Sequence, residues 1–191
     1  RKLSEIQYYT PAVYSVNPSN YKSETRTLGF RTTKLTYENF LDSYCSYTSN
    51  EKPTFHLMMD DDSIIIFYYK FDDLGCVIEH NLSYVPAPPG DLLLEKDDDN
   101  FYMTSERMFL LLQKVYKYIR IDYDTNGYQE MIHTLVHMHI GLVKEYQDDD
   151  AENDDIRDYE FRIPIYGVVY PYDFIYLILK YIYKENTTYI E

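Results

Sequence analysis

Three runs of strand-forming residues follow one another between residues 54 and 85, and turn-type clusters separate them. The runs are Phe55–Met59, Ser63–Phe71 and Cys76–Val85. Asp60-Asp61-Asp62 and Asp72-Asp73-Leu74-Gly75 stand between them, and Asp and Gly in such clusters favour tight turns. This spacing predicts an antiparallel meander. The middle run holds apolar and aromatic residues from Ile64 to Tyr69 without polar alternation, which indicates a central strand buried on both faces.

Helical patterns flank the meander. Aromatic and apolar residues recur at helical spacing from Tyr37 to about Tyr47, with Thr36 as N-cap, and again from Glu106 to Tyr116. Pro171 suits the first turn of a C-terminal helix. The apolar stripe of that helix, from Phe174 to Ile182, should pack on the sheet.

Further strands are predicted at Tyr118–Tyr123, Val136–Val143 and Phe161–Ile165, the last at an edge because its proline cannot donate a ladder hydrogen bond. We therefore predict an α+β fold with a single domain over residues 1–191. Its sheet is mainly antiparallel, a meander plus a hairpin, packed by the C-terminal helix and one or two further helices. We expect an irregular N-terminal arm over residues 1–35, with one strand near Thr27–Thr32, and an acidic loop over residues 146–159.

The predicted hairpin carries polar side chains at every second position. Successive side chains of a strand point to opposite faces, so Arg120 and Asp122 share one face of the first strand. By the same parity, His137 and His139 share one face of the second strand. If the two strands pair, these residues form one polar cluster. Arg162 points opposite to its apolar neighbours in the edge strand and is a further candidate.

A metal site is one interpretation of this cluster. Two imidazoles two residues apart on one strand face lie close enough to bind one ion, and His137 and His139 have this spacing. Asp122 or Asp124 would supply a carboxylate ligand. A divalent metal ion is thus the cofactor that these residues would take.

Two other interpretations need no metal. His137 or His139 could act as general acid or base while Asp122 fixes its tautomer, with Arg120 or Arg162 holding a phosphate or carboxylate. Alternatively, the cluster is structural, and an arginine neutralises Asp122 in a buried salt bridge. The serine-hydrolase, P-loop and dinucleotide fingerprints are absent from the sequence.

Charge and composition narrow the classes of partner. The chain carries 32 acidic and 18 basic residues, a formal charge of -14, which argues against a general electrostatic mode of nucleic-acid binding. Its 24 tyrosines suit a surface that binds a protein partner, and AT-rich codon usage is the alternative and more common cause of such a count. No segment approaches the roughly 20 apolar residues of a membrane span, and no apolar leader precedes residue 30. Because the two cysteines form no disulfide framework, we expect a cytoplasmic protein.

Five short motifs resemble those of a family of uncharacterised bacterial proteins classed as a domain of unknown function. They are Asn81–Pro86, Ile119–Asp124, His137–Gly141, Phe161–Ile165 and Pro171-x-x-Phe174-Ile175. The resemblance covers roughly residues 63 to 183 and implies a mobile-element or phage-defence setting rather than an activity. The sequence differs from the family pattern at His133-Thr134, where a His-Pro pair is expected.

Three classes of function remain, and the first is the leading hypothesis. It is a non-enzymatic component of a defence or mobile-element system that binds a protein partner and uses the Arg/Asp/His cluster as structure. The second is a hydrolase, a nuclease or phosphoesterase, with the cluster as active site. The third is an acidic nucleic-acid mimic that inhibits a DNA-binding protein. An active site requires that the cluster line an accessible pocket with shifted pKa values.

Overall fold

The computed structural model describes residues 13–16, 21–95, 104, 107, 109–111, 116–125, 135–142 and 162–183. Their strands are β1 (Val13–Val16), β2 (Tyr21–Lys22), β3 (Thr27–Gly29), β4 (Leu57–Met59), β5 (Ile64–Phe71), β6 (Val77–Val85), β7 (Ile119–Asp124), β8 (Val136–Ile140) and β9 (Arg162–Pro164). Their helices are α1 (Phe40–Tyr47), α2 (Gly90–Glu95) and α3 (Pro171–Tyr181).

The nine strands described form one sheet, and every pairing in it is antiparallel. The order across the sheet is β1-β4-β5-β6-β7-β8-β9, and β3 pairs with both β2 and β5. The predicted meander is therefore present as β4-β5-β6, and the two strands of the hairpin are neighbours. β9 lies at an edge, as the proline in it predicts.

β4 and β3 pair with successive parts of the same edge of β5. The ring of His56 lies at the point where one strand replaces the other. At this point the backbone N–H of Phe67 donates to Nδ1 of His56 (3.0 Å), and the Phe67 carbonyl accepts from the N–H of Phe30 (2.8 Å). The His56 ring lies 5.2 Å from the ring centroids of both phenylalanines. His56 thus satisfies a buried backbone donor of the central strand, and it does so as a neutral acceptor.

This role of His56 predicts a loss of stability in mild acid. Burial lowers the pKa of His56 to about 4, whereas in the unfolded chain it is roughly 6.5. Between these values the unfolded state binds a proton that the folded state does not. The stabilisation from neutral His56 is therefore complete above pH 6.5 and is lost as the pH falls through 4, by up to about 3 kcal/mol. Urea unfolding at pH 7, 6 and 5 measures it.

The control for this prediction is His56→Asn, because an asparagine can place an acceptor near the position of Nδ1 and does not ionise. The variant binds about one proton fewer on unfolding in this pH range. The slope of its unfolding free energy against pH should therefore be lower by roughly 1.4 kcal/mol per pH unit. Burial also lowers the pKa of His80 to about 4. His80 therefore contributes a pH dependence of the unfolding free energy that the His56→Asn variant keeps. Equal slopes for the two proteins would contradict the role assigned to His56.

The sheet has an apolar core on each face, which explains why β5 lacks alternation. On one face Ile64 and Ile66 belong to a buried cluster with Phe40 and other residues of α1. On the other face Ile65 belongs to a second cluster with Phe174 and other residues of α3. Ile64, Ile65 and Ile66 are each fully buried. The prediction of a central strand covered on both faces is confirmed.

Two side chains of the sheet hold the segment that leads into α3. The hydroxyl of Tyr69 donates to the carbonyl of Val169 (2.9 Å), and the N–H of Val169 donates to Nε2 of His80 (3.2 Å). His80 is 1% exposed. Both histidines of the meander, His56 and His80, therefore have structural roles, and α3 is attached to the sheet by hydrogen bonds as well as by its apolar stripe.

The fold agrees with the predicted α+β class, with differences at the N-terminal side. The arm is more regular than expected, because β1, β2 and β3 lie within residues 1–35 and pair with the sheet or with each other. Helix α1 begins at Phe40, three residues later than predicted. Thr36 and Asn39 instead exchange side-chain bonds, Thr36 N–H to Asn39 Oδ1 (2.9 Å) and Asn39 N–H to Thr36 Oγ1 (3.3 Å). In the N-terminal arm, pairing of β1 and β3 with strands of the meander outweighs the weak strand propensity of the local sequence.

Some predicted elements lie partly or wholly outside the described residues. The described part of the helix expected over Glu106–Tyr116 is helical at residues 107 and 109–111. The acidic loop over residues 146–159 lies outside the described residues. Each helix in the described part of the chain is too short or too polar to cross a membrane.

Candidate functional site

The pairing of β7 with β8 brings the predicted polar residues together. Asp122 lies opposite His137, and Arg120 lies opposite His139. The register is set by the apolar face of the same strands, where Ile121 lies opposite Met138, because a slip of one residue would turn that face to the polar side. The four side chains share one face of the sheet, as the alternation along each strand predicts, and the structure supplies the pairing of the two strands.

Asp122 is the centre of the cluster. Its Oδ2 accepts a hydrogen bond from Nε of Arg120 (2.7 Å) and lies 3.2 Å from Nε2 of His139 and 3.9 Å from Nε2 of His137. Its Oδ1 accepts a hydrogen bond from Nδ2 of Asn81 (2.6 Å). The rings of the two histidines meet edge to face, with centroids 4.6 Å apart. Both histidines are buried, at 2% and 3% exposure.

Asp122 remains ionised at this position. Burial alone would raise the pKa of the carboxyl group, but the hydrogen bond from His139, the charge of Arg120 and the hydrogen bond from Asn81 together lower it to about 2. A carboxylate that accepts several charge-assisted or amide hydrogen bonds is held in its charged form. The cluster therefore presents a fixed negative charge to the two imidazoles.

A chain of hydrogen bonds connects Asp122 to the segment between β3 and α1. The N–H of Thr32 donates to Oδ1 of Asn81 (3.2 Å), and the Thr32 hydroxyl donates to the same oxygen. The Thr32 and Ser83 hydroxyls are 2.8 Å apart. Asn81 thus receives two hydrogen bonds on its carbonyl oxygen and passes one from its amide to Asp122. This fixes both the orientation of Asn81 and that of the carboxylate.

Asn81 and Thr32 belong to the site, although neither is among the residues predicted for it from the sequence. Asn81 carried a usable signal, since it alternates with the apolar Leu82 in β6 and lies opposite Asp122 in the sheet. Thr32 carried none, because its contact with Asn81 spans 49 residues and depends on the path of the chain after β3.

A cavity of about 510 Å³ lies over this face of the sheet. Arg120, Asp122, His137 and His139 line it together with residues 31–34 and 79–81 and Tyr123. Its charged side chains, apart from the three histidines (His80, His137 and His139), are Arg31, Lys34, Arg120, Glu79 and Asp122. Three of these are cations and two are anions, so the cavity is a locally basic region of a strongly acidic chain. Glu79 and Arg31 pair at 2.6 Å, and the Arg31 side chain is 60% exposed.

Two other residues predicted for the site, Arg162 and Asp124, are described only by their backbones. The register pairs Arg162 of β9 with His139 of β8, which places its backbone beside the cluster, but its side chain lies outside the described part of the chain. The side chain of Asp124 is outside it as well. Asp122 is therefore the carboxylate that the structure places with the histidines.

Three potential metal-ligating side chains meet here. One nitrogen each of His137 and His139 and one carboxylate oxygen of Asp122 all lie within 4.8 Å of one another. The cluster can therefore hold a single cation, hold a protonated histidine against the carboxylate, or direct a histidine toward a molecule in the cavity.

The fold is of the α+β class, and two histidines and an aspartate from adjacent antiparallel strands line a basic cavity in it. The chain belongs to the family described as uncharacterized conserved protein (DUF2290), whose sequence model matches residues 14–147. The matched region contains Asn81, Asp122, His137 and His139, and it ends before β9 and α3. The predicted resemblance to a family of unknown function is confirmed over residues 14–147 rather than 63–183, and the motifs Phe161–Ile165 and Pro171-x-x-Phe174-Ile175 lie beyond the matched residues. No curated protein and no solved structure gives a match.

Proposed function

We propose that the protein is a hydrolase of phosphate esters, either a phosphodiester or a nucleotide, with Asp122, His137 and His139 at its active site. The observation that carries this proposal is the convergence of these side chains around Asp122 Oδ2 on the wall of a cavity. Titratable groups with perturbed pKa values in a concave site are a common mark of catalysis. This favours the second class of function over the partner-binding hypothesis that leads on sequence grounds.

The charge of the cavity supports an anionic substrate. Arg31, Lys34 and Arg120 outnumber Glu79 and Asp122 there, although the whole chain has a formal charge of -14. A cavity with a local excess of cations concentrates anions even when the rest of the surface repels them. Its acidic surroundings favour a small phosphate ester over a long nucleic-acid duplex, since a duplex would also meet the acidic surface.

The cluster supplies the groups that phosphate-ester hydrolysis needs. A water molecule can be activated by a histidine whose tautomer Asp122 holds, or by a metal ion bound to all three side chains. Arg120, which Asp122 holds by its Nε atom at 2.7 Å, lines the cavity and can stabilise negative charge that develops on the phosphoryl oxygens.

The experiment that tests this function is a hydrolysis assay of the full chain. The substrates are bis-p-nitrophenyl phosphate, the nucleoside mono- and triphosphates, and single-stranded RNA and DNA oligonucleotides. We expect hydrolysis of at least one of them, reduced by about 100- to 10,000-fold in His139→Ala. His56→Asn is the matched control, because it also removes a buried histidine but lies outside the cluster, and it should keep its activity.

Two results would overturn the proposed function. One is the absence of hydrolysis across the whole panel in protein that unfolds cooperatively. The other is a rate that His139→Ala leaves unchanged.

A second candidate function is the binding of a protein partner, and the exposed aromatic side chains favour it. Tyr166, Tyr170 and Tyr172 are exposed between β9 and the first turn of α3, and tyrosine is enriched in protein interfaces. In this proposal the protein acts in the cytoplasm as a component of a defence or mobile-element system. Loss of the partner on Tyr166→Ala and Tyr170→Ala, but not on His139→Ala, would support it.

The third hypothesis, an acidic nucleic-acid mimic, stays a prediction. It requires carboxylates arrayed at phosphate-like spacing over one face. The most acidic stretch, residues 146–159, lies outside the described part of the chain.

A further inference from the structure

We propose that Asp122, His137 and His139 bind one divalent transition-metal ion of the Zn²⁺ type, through Oδ2 of the aspartate and Nε2 of each histidine. This inference deepens the proposed function, because it assigns the cofactor of the same site. It is carried by the geometry of the donor atoms, by the hydrogen bonds that hold the carboxylate and by the chemical nature of the three ligands.

The distances between the donor atoms fit a shared ion. Two ligand atoms that each lie about 2.0–2.1 Å from a Zn²⁺ ion at a tetrahedral angle are roughly 3.4 Å apart. Asp122 Oδ2 is 3.2 Å from His139 Nε2 and 3.9 Å from His137 Nε2. The ligand nitrogens of the two histidines lie within 4.8 Å of each other, so binding draws the two rings together by up to about 1.4 Å, which rotation of the side chains can supply.

The carboxylate has the lone pairs that this arrangement requires. Each oxygen of an ionised carboxylate can accept two interactions. At Oδ2, one is used by Nε of Arg120 at 2.7 Å, and the other faces the histidine nitrogens. Oδ1 is engaged by Nδ2 of Asn81. The arginine thus orients Asp122 without blocking its approach to an ion.

Asn81 and Thr32 serve as positioning residues for the ligand set. Thr32 donates two hydrogen bonds to Oδ1 of Asn81, and this directs the amide N–H of Asn81 toward Asp122. Partners of this kind in the outer coordination sphere orient a metal ligand before the ion arrives, and removing one costs about 10- to 100-fold in metal affinity. The segment after β3 is thereby coupled to the metal site.

The ligand types select the class of ion. Mg²⁺ and Ca²⁺ take oxygen ligands almost exclusively, whereas two imidazoles and one carboxylate suit Zn²⁺ and neighbouring first-row divalent ions. Three protein ligands leave at least one coordination position for water or substrate, as in catalytic rather than structural zinc sites. All three side chains line the cavity, so that position would be open to a bound molecule. A metal ion there would lower the pKa of its bound water and polarise a phosphoryl oxygen.

Titration with Co²⁺ tests the site directly. The full chain, freed of metal with a chelator and desalted, is titrated with Co²⁺ and the visible d–d absorption is recorded. We expect one Co²⁺ per chain and its displacement by one equivalent of Zn²⁺. An absence of stoichiometric binding in wild-type protein that unfolds cooperatively would overturn the inference.

Substitutions locate the ion. His137→Gln and His139→Gln keep a polar side chain in place, and the double variant should lose stoichiometric binding, whereas His56→Asn should bind as the wild type does. Asn81→Ala should lower Co²⁺ affinity by about 10- to 100-fold with an unchanged stoichiometry. Stoichiometric binding that survives in the folded double variant would place the ion elsewhere and overturn the inference.

The metal inference and the proposed function can fail separately. Stoichiometric Co²⁺ bound through the two histidines, with no hydrolysis of any phosphate ester, would overturn the function and support the site. Hydrolysis that persists in chelator-treated protein without bound metal would support the function and overturn the assignment of the ion as its cofactor, while the Co²⁺ titration decides separately whether the ion binds.

Discussion

Asp122→Asn should lower the rate of phosphate-ester hydrolysis on the order of 10,000-fold, the scale seen when a carboxylate that orients a catalytic histidine is neutralised. The amide keeps the shape of the carboxylate but has no negative charge, and one of its two terminal atoms becomes a hydrogen-bond donor. In the native site, Arg120 Nε and Asn81 Nδ2 both donate to Asp122. One of them must therefore face a donor in the variant.

The same substitution should destabilise the protein by about 2 kcal/mol, since a buried hydrogen bond to a charged group is replaced by a mismatched pair. The assay and urea unfolding measure the two effects on the same preparation. A hydrolysis rate within a few-fold of the wild type would exclude Asp122 from the chemistry.

Glu79→Gln is the matched control for Asp122→Asn, because Glu79 is the other carboxylate of the cavity. It pairs with Arg31; the side chain of the arginine is 60% exposed and that of Glu79 is 12% exposed, and solvent at the arginine keeps the contribution of such a pair to about 1 kcal/mol. Its rate should change less than about fivefold. If the two variants lost activity equally, the cavity charge rather than the Asp122 cluster would be the feature that matters.

Gly29→Ala should destabilise the protein by about 4 kcal/mol. Gly29 has a φ of +85°, and a Cβ built on it would overlap the carbonyl oxygen of Phe67 and lie 3.1 Å from Cε1 of His56. The left-handed backbone costs an L residue roughly 1–2 kcal/mol, and overpacking against a rigid strand adds roughly 1–3 kcal/mol. The measurement is the urea midpoint, which should fall at an unchanged slope.

Gly75→Ala separates the two causes. Gly75 has a φ of +80°, but a Cβ added there meets no atom within 4 Å. Its variant should lose about 1 kcal/mol, the cost of the backbone conformation alone. Equal losses in the two variants would mean that β3 does not approach β5 as closely as described. Because Thr32 follows Gly29 by three residues, Gly29→Ala should also weaken metal binding, whereas Gly75→Ala should not.

Our proposal of hydrolysis in preference to partner binding rests on what covers the polar face of the sheet. The sequence shows that Arg120, Asp122, His137 and His139 can share a face, which a structural cluster and an active site both require. The two differ in what covers that face. A cavity rather than an apolar core lies over these residues, although α1 covers the same face at Ile64 and Ile66.

The local sequence alone determined the strands of the meander, the burial of β5 on both faces and the parity of the hairpin. Each of these depends on residues a few positions apart, whose side-chain directions follow from backbone geometry. The pairing of Asp122 with His137 is a result of the tertiary structure, because a shift of two residues would keep the same side chains on each face.

The tertiary structure alone decided what surrounds Asp122. Thr32 reaches Asn81 across 49 residues and Asn81 reaches Asp122 across 41, and no local pattern encodes contacts at such separations. They depend on where β3 leaves the edge of β5, which in turn depends on the close approach of Gly29 to Phe67. The residues of the cluster could therefore be predicted from the sequence. Its cavity and the hydrogen bonds from Thr32 through Asn81 to Asp122 form only when distant segments pack together.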